Sequence, residues 1–379
     1  MKTTLQPKKP FPTTQKYTCV DLFAGAGGFS LAAINANMYV AAALEYDKAA
    51  SNTYKKNIPK AQDHPLDFYE GDILNIDPSS LIDNEFLATQ GCDLILGGPP
   101  CQGFSVHRIK NAGVDDERNK LILRYFEYVS RLRPKFFLME NVPGILWPRH
   151  KHYIEEFYSE GNKAGYDIFP PATLDARDYG IPQRRKRVFI LGVRKDVKEK
   201  KEINITWPPS KTHGDDKDCR ENLDLLPWTT ARHIFIKPLD DNDENNVHMN
   251  HNPALVEVFK STPPNGGSRH ESNRILPCHK NHNGHSDVYG RIDPAQPGPT
   301  MTTACINPSK GRFLHPTKHH GITVREAARF QTFPDWYTFS GGIMAAAKQV
   351  GNAVPVDFGE VLIRGIKYAL DKYYATNQK

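Results

Sequence analysis

Through the first half of the chain, short apolar runs alternate with stretches whose apolar positions recur every three or four residues. This is the pattern of a doubly wound α/β sheet, with strands and helices taking turns. Residues 17–22 predict a strand, followed by a glycine-rich turn and a helix through Leu31 to Asn37. Residues 39–44 predict a second strand that runs into the acidic Glu45, and 67–70 a weaker one closed by Gly71-Asp72. A buried strand over 93–96 stops abruptly at Gly97-Gly98-Pro99-Pro100. An amphipathic helix follows over 120–132, then another buried strand over 136–139 that ends at Glu140-Asn141, and a late strand over 187–193 behind a basic run.

After about Val193 the periodicity fades. Residues 195–316 are rich in Pro, Asn, His, Asp and Gly and carry few regular segments, as a smaller, irregular inserted domain would. Order returns at Thr323-Val324-Arg325-Glu326, which has the form of a capping box opening a helix. A last helix over 356–373 has apolar residues at helical spacing and is expected to pack against the sheet. The resulting division is a larger discontinuous domain, 1–195 with 317–379, and a smaller one, 196–316. No internal repeat is visible.

Composition changes this picture only slightly. A chain of 379 residues can bury a sizeable core, and its net charge of +6 suits a polyanionic partner without requiring one. The 6 cysteines are scattered, unlike a disulfide framework, and no stretch approaches the ~20 apolar residues that cross a bilayer. The polar opening of the chain does not read as a signal peptide. A reducing, cytoplasmic setting with no membrane association is therefore expected, with the cysteines present as thiols.

Two turns carry candidate chemistry. Asp21-Leu22-Phe23-Ala24-Gly25-Ala26-Gly27-Gly28 joins a strand to a helix, and glycines there let a ligand approach the backbone closely. Glu45 at the next strand end is placed for ribose hydroxyls, an arrangement shared by dinucleotide and S-adenosylmethionine sites because both ligands contain adenosine. Asp72-Ile73 offers an acceptor and an apolar wall for adenine. A tight turn without a ligand is the plain alternative. The second turn carries Cys101 immediately after Gly-Gly-Pro-Pro. Most cysteines are small buried hydrophobes. One on a stiff loop at the carboxyl end of a buried strand is placed where open α/β sheets bind ligands.

At this point the chain resembles a known family. Residues 21–30, 97–105, Glu140-Asn141-Val142, Gln183-Arg184-Arg185-Lys186-Arg187, 325–337 and 349–355 are similar to the ordered motif blocks of the DNA cytosine-C5 methyltransferases. The resemblance implies a Rossmann-like S-adenosylmethionine-dependent methyltransferase domain with a target-recognition domain at 196–316. It implies the cofactor S-adenosylmethionine, released as S-adenosylhomocysteine, held by Phe23, Ala24, Gly25, Gly28, Glu45, Asp72, Ile73, Pro99, Leu121, Asn352 and Ala353. Cys101 would add to C6 of cytosine, turning C5 into an enamine carbon able to attack the methyl group. Glu140 would contact N3 and the exocyclic amine, and Arg185 and Arg187 the base oxygen and neighbouring phosphates. Gln183, Arg185 and Arg187 would share one face of an extended segment. Gln102 and Ser105, on a loop able to close over a flipped-out base, and Gln183 would face the DNA. The base that removes the C5 proton is not evident.

The partner implied is double-stranded DNA, read by a monomer associated with the nucleoid, with a cognate restriction endonuclease encoded nearby. Within the insert, Arg269, Arg274, Lys280, Arg291 and Arg312 are candidate DNA contacts. The run Cys278-His279-Lys280-Asn281-His282-Asn283-Gly284-His285 invites a zinc reading, but it lacks the second ligand pair that anchors a structural zinc, so no metal is expected. Three rivals stand beside this reading. The tRNA-methylating branch of the family uses the same cysteine, but its Cys-Phe-Thr element is absent here. A nicotinamide oxidoreductase leaves the Pro-Cys-Gln loop and the Glu-Asn-Val block unexplained. A DNA-binding protein without activity would have no need of Cys101, Glu140, Arg185 and Arg187 together.

Overall fold

The structure is a computed structural model that describes residues 1–7, 17–100, 120–200, 203, 205–273 and 287–377. Its contacts divide the chain into two units: 1–174 with 186–210 and 359–379, and 175–185 with 211–358. Residues 317–358 and 175–185 thus make their contacts with the unit that holds the insert.

The first unit is built on one mixed sheet. Its strands are β1 (Lys2–Leu5), β2 (Tyr17–Leu22), β3 (Met38–Glu45), β4 (Leu66–Glu70), β5 (Leu94–Gly97), β6 (Phe136–Asn141), β7 (Tyr166–Ile168), β8 (Ala172–Asp175) and β9 (Lys186–Arg194). The order across the sheet is β1-β4-β3-β2-β5-β6-β9-β7, with β8 also pairing with β9. From β4 to β6 neighbouring strands are parallel, and every residue of β2, β3, β5 and β6 is buried. That is why these segments read as continuous apolar runs rather than alternating ones: helices cover both faces of a parallel sheet. The helices are α1 (Gly28–Asn35), α2 (Lys48–Asn57), α3 (Glu85–Gln90), α4 (Lys120–Leu132), α5 (Lys151–Lys163) and the short α6 (Lys195–Lys198). Strand order reverses between β2 and β5, the switch point at which open α/β sheets form their ligand crevice.

The strands and helices predicted from periodicity are present within a few residues of their expected bounds, and β2 and α4 match them. The elements without apolar periodicity were not foreseen. β1 is exposed along most of its length, an edge strand held by pairing with β4, the Lys2–Asp67 ion pair at 2.9 Å and the Thr4–Asp67 hydrogen bond at 2.7 Å. Helices α2 and α3 are set by caps: the Asp47 carboxylate accepts from Ala49 and Ala50, and the Asn84 amide oxygen from Phe86 and Leu87.

In the second unit, the described residues form a two-strand pair, β10 (His213–Gly214) with β11 (Leu226–Pro227), the helices α7 (Asp216–Glu221), α8 (Arg232–Phe235), α9 (Pro253–Ser261), α10 (Val324–Phe330) and α11 (Ile343–Asn352), and a few 3₁₀ turns. The expected capping box at Thr323 opens α10. Irregular chain leaves buried carbonyls without a ladder, and buried arginines with five donors each satisfy them. Arg329 donates to the carbonyls of Ile234, Lys237 and Pro238 and pairs with Asp335, while Arg325 pairs with Asp243 and donates to the Tyr337 carbonyl. The last helix, α12 (Val356–Asn377), docks its later part on the first unit. There Tyr17 donates to Asp371 at 2.6 Å, and Tyr374 donates to Asp93, which also pairs with Lys135 at 2.8 Å.

Candidate active site

Sheet register brings the carboxyl ends of five parallel strands to one edge. Leu22 of β2 stands opposite Leu44 of β3 and Gly97 of β5. Glu45 stands opposite Glu70 of β4, and Gly97 opposite Met139 of β6. The glycine turn, Glu45, Gly71-Asp72, the Gly98-Pro99 loop and Glu140-Asn141 therefore emerge side by side. Strand β9 runs antiparallel to β6 with Val188 opposite Asn141, so its first residues, including Arg187, reach the same edge. At about 4.8 Å per strand, the edge from β4 to β6 extends for roughly 20 Å.

The glycine turn is held open from below. Phe23, Gly25 and Gly27 all have positive φ, at 59°, 57° and 91°. For the two glycines this conformation costs little, and it turns the chain sharply into α1. The buried Glu45 carboxylate fixes the turn: Oε2 accepts from the Gly25 N–H at 2.7 Å and Oε1 from the Asp47 N–H at 2.6 Å. Burial raises the Glu45 pKa, and those N–H groups oppose the rise. Beneath the turn, Asp21 is buried and accepts from the Ser30 hydroxyl at 2.6 Å, which also meets the Tyr54 hydroxyl at 2.7 Å. Burial pushes the Asp21 carboxyl up to about 7, with the Glu45 charge adding to the rise and the Ser30 hydroxyl opposing it.

At the other half of the edge, Arg187 Nε lies 2.9 Å from Glu140 Oε1, both side chains being mostly buried. Burial lowers the Arg187 pKa, and the Glu140 charge opposes that. A Cβ on Gly98 would stand 3.2 Å from Glu140 Oε2, so the glycine lets the loop pass close to the carboxylate. Asn141 ties the loop down, its Nδ2 donating to the Pro99 carbonyl at 3.3 Å while its Oδ1 accepts from Val142 N–H at 2.8 Å. A glycine turn held by a buried carboxylate thus lies beside a loop-and-carboxylate site with its own arginine. The profile of the C-5 cytosine-specific DNA methylase family matches residues 17–368.

The chain belongs to that family.

Its relatives include the type II methyltransferase M.NgoPII of Neisseria gonorrhoeae, 33% identical over 95% of this chain and 98% of the relative. M.DdeI of Desulfomicrobium norvegicum is 30% identical over 94% of this chain and 90% of the relative. A solved prophage-encoded protein of Escherichia coli, described as a DNA modification methyltransferase, superposes with a TM-score of 0.69 at 25% identity, covering 94% of this chain and 100% of that one. The Schizosaccharomyces pombe Dnmt2 methyltransferase shares the fold, with a TM-score of 0.58 at 17% identity over 94% of this chain and 99% of that one. This C-5 cytosine-specific DNA methylase is accordingly a cytosine-C5 DNA methyltransferase of restriction-modification type with an S-adenosylmethionine-dependent fold.

The expected residues Phe23, Ala24, Gly25, Glu45, Asp72, Ile73 and Pro99 follow strand ends on that edge. Ala24 and Ile73 are buried there, Phe23 and Leu121 pack against the core, and Gly28 opens α1. Asp72 Oδ1 caps the turn after β4 by accepting from Leu74 N–H at 3.0 Å. Cys101, Gln102 and Ser105 lie outside the described residues, as does the Cys278–His285 run together with Arg274 and Lys280. Among the described cysteines, Cys19, Cys92 and Cys305 are buried thiols with pKa values raised by burial, Cys305 to about 12, which suits packing rather than nucleophilic attack. Among the described residues no group of three or more His, Cys, Asp or Glu side chains is arranged to hold a metal, and no helix is long and apolar enough to cross a membrane.

The run 183–187 does not form one extended face. Strand β9 starts only at Lys186, and Gln183 and Arg185 turn into the second unit. Gln183 is wholly buried, donating to the Phe330 carbonyl and to Gln331 Oε1 and accepting from Met301 N–H. Arg185 donates to the carbonyls of Met301, Gly351 and Ala353 at 2.8 to 3.0 Å. Gly351 and Ala353 stand at the end of α11, whose last carbonyls lack full helical partners, and Gln331 Nε2 donates to the Val350 and Ala353 carbonyls there. Gly351 packs with no room for a side chain, a Cβ there being 2.2 Å from Thr302 backbone. Asn352 is exposed and Ala353 caps α11. Periodicity offered no signal for Gln331 as the hub of this cluster. It also passed over Tyr46, whose ring is 74% exposed directly after Glu45.

Proposed function

We propose that this methyltransferase transfers the methyl group of S-adenosylmethionine to C5 of a flipped-out cytosine in a specific double-stranded DNA sequence, through a covalent Cys101–C6 adduct, as the modification enzyme of a restriction-modification system. The observation that carries the reading is the alignment, on one sheet edge, of the Glu45-stapled glycine turn with Gly98-Pro99, Glu140-Asn141 and Arg187.

The donor half fits an adenosine ligand. Glu45 spends one lone pair of each oxygen on the backbone and keeps acceptor capacity for ribose hydroxyls. Tyr46 supplies a flat apolar plate, and Asp72 with Ile73 an acceptor and wall for adenine. When bound, S-adenosylmethionine supplies an electrophilic methyl on sulfonium.

The acceptor half belongs to cytosine. Attack of the Cys101 thiolate on C6 forms the S–C bond and pushes electrons towards N3. Glu140, in its protonated form, would deliver a proton to N3 and accept from the exocyclic amine, neutralising that charge, while Arg187 holds its side chain in place. C5 of the resulting enamine takes the methyl group. Loss of the C5 proton to a base then expels the thiolate, leaving 5-methylcytosine and S-adenosylhomocysteine. Gly98 packs against Glu140 and Asn141 ties down Pro99, the described residues that lead into Cys101, which supports a nucleophile and an acid sharing one support. A cytosine paired in a duplex cannot enter such a loop, so flipping is part of the proposal.

The test is transfer of labelled methyl groups to mixed-sequence duplex DNA by wild type and Cys101→Ala. Label in C5-methylcytosine with wild type and none with the variant is expected. Label on tRNA alone would move the substrate to the RNA branch, and retained activity in the variant would remove the covalent step.

A further inference from the structure

In the second unit, one buried arginine shapes an exposed turn. The Arg291 side chain is 1% exposed, and its guanidinium donates to the carbonyls of Phe259, Thr262, His315 and Lys318 and to His319 Nδ1. From the other side the buried His315 ring accepts the N–H groups of Thr317 and Lys318 at Nδ1, at 3.1 and 3.0 Å. That fixes its tautomer, with the Nε2 proton towards Glu326 Oε1 at 3.5 Å. Gly321 closes the turn by pairing with Leu314. The backbone of the turn is thus bonded from beneath, while Thr317, Lys318 and His319 stay exposed.

The turn borders a recess of about 480 Å³ lined by His248, Asn250, His251, Lys318, His319 and His320 together with Met249 and Val256. His248 and His320 stack at 3.8 Å. Among the described residues its lining carries no carboxylate, and Lys318 gives it a positive charge that suits a polyanion. Burial lowers His251 and takes His320 down to about 4, so these two rings are neutral hydrogen-bonding groups at neutral pH. The titratable groups packed around the turn are His315, His320, His248, Lys318, His319, Arg291 and Glu326.

We infer that the Thr317–His319 turn is a base-reading element of the recognition unit, with Lys318 and His319 as specificity-determining residues for a guanine in the DNA. The inference rests on the proposed DNA reaction and goes further by assigning a reader. Phosphate contact tolerates a flexible lysine, whereas base readout needs side chains held in register from a rigid support. His319 accepts from Arg291 at Nδ1, which puts its proton on Nε2. That proton and the Lys318 ammonium are donors, matched by the O6 and N7 acceptors of guanine in the major groove.

The experiment maps 5-methylcytosine by bisulfite sequencing after incubating mixed-sequence duplex DNA with S-adenosylmethionine and wild type, Lys318→Ala or His319→Ala, with thermal melts to verify folding. Wild type is expected to modify one sequence context. Each variant is expected to lose about tenfold or more of its discrimination at a guanine position. An unchanged context in both variants would overturn the assignment. A uniform fall in rate, with the salt slope smaller by about one, would count equally against it, because that is the signature of phosphate contact. Absence of 5-methylcytosine with wild type would instead overturn the methyltransferase reading, and this inference with it.

Discussion

The Glu140–Arg187 pair gives the sharpest quantitative expectation. With Nε and Oε1 at 2.9 Å and side chains only 14% and 11% exposed, the attraction at an effective dielectric of 20 is about 6 kcal/mol. Desolvation of both ions offsets most of it, so the pair as a whole stabilises little. Arg187→Met strands a buried carboxylate, and the expected loss of stability is about 3–5 kcal/mol. Glu140→Gln strands the guanidinium and is expected to cost a similar amount. In the double variant no charge is stranded, and the cost should fall to the lost packing, about 1 kcal/mol. The double-mutant cycle therefore predicts a coupling energy of at least about 5 kcal/mol. Urea unfolding followed by fluorescence gives the midpoint and slope for all four proteins, and the comparison is valid if the slope is constant. If Arg187→Met costs the same in the wild-type and Glu140→Gln backgrounds, the pair is not coupled and Arg187 does not hold the carboxylate.

Gly98→Ala brings a methyl to 3.2 Å from Glu140 Oε2 on a loop tied to Asn141, so kcat is expected to fall about tenfold with a nearly unchanged unfolding midpoint, measured by methyl transfer and urea titration. Gly351→Ala places Cβ 2.2 Å from Thr302 backbone, which cannot yield cheaply, and should destabilise the second unit by 3 kcal/mol or more by the order of overpacking costs, read as a lower Tm and poor soluble yield. Asp21 has a folded pKa of about 7 against an ordinary 3.8, so the folded state binds its proton more tightly. Its contribution to stability is therefore full below about pH 4 and is lost as pH rises to about 7, on the order of 4 kcal/mol in all. Asp21→Asn should remove that slope between pH 4 and 7 in urea titrations, and a variant with the wild-type slope would show that Asp21 is not the group responsible.

Much of the first unit was legible because a parallel sheet imposes its signature locally. Strands covered on both faces must be apolar throughout, as in Phe136–Asn141, and each ends where a glycine, proline or acid halts the run. Those same endings mark the ligand edge, so Glu45, Gly98 and Glu140 were readable together with the strands that present them. What was not legible lacked such a signature. Strand β1 is polar and exists through its partner β4. Much of the second unit lacks a periodic face, because carbonyls that a sheet would pair are instead satisfied by Arg291, Arg325 and Arg329, and an arginine in sequence reads as surface.

By itself, the sequence determined the α/β class, the order of the motif blocks and the chemistry of each strand end, since these depend on residues adjacent in the chain. Tertiary structure decided which of the blocks meet. Arg187 reaches Glu140 because β9 runs antiparallel to β6, whereas Arg185, two residues earlier, turns away to the carbonyls that end α11. Alternation along a strand predicted one face for both. The demand of a helix end for donors, a requirement set by residues 166 and 168 positions further along the chain, overrode it.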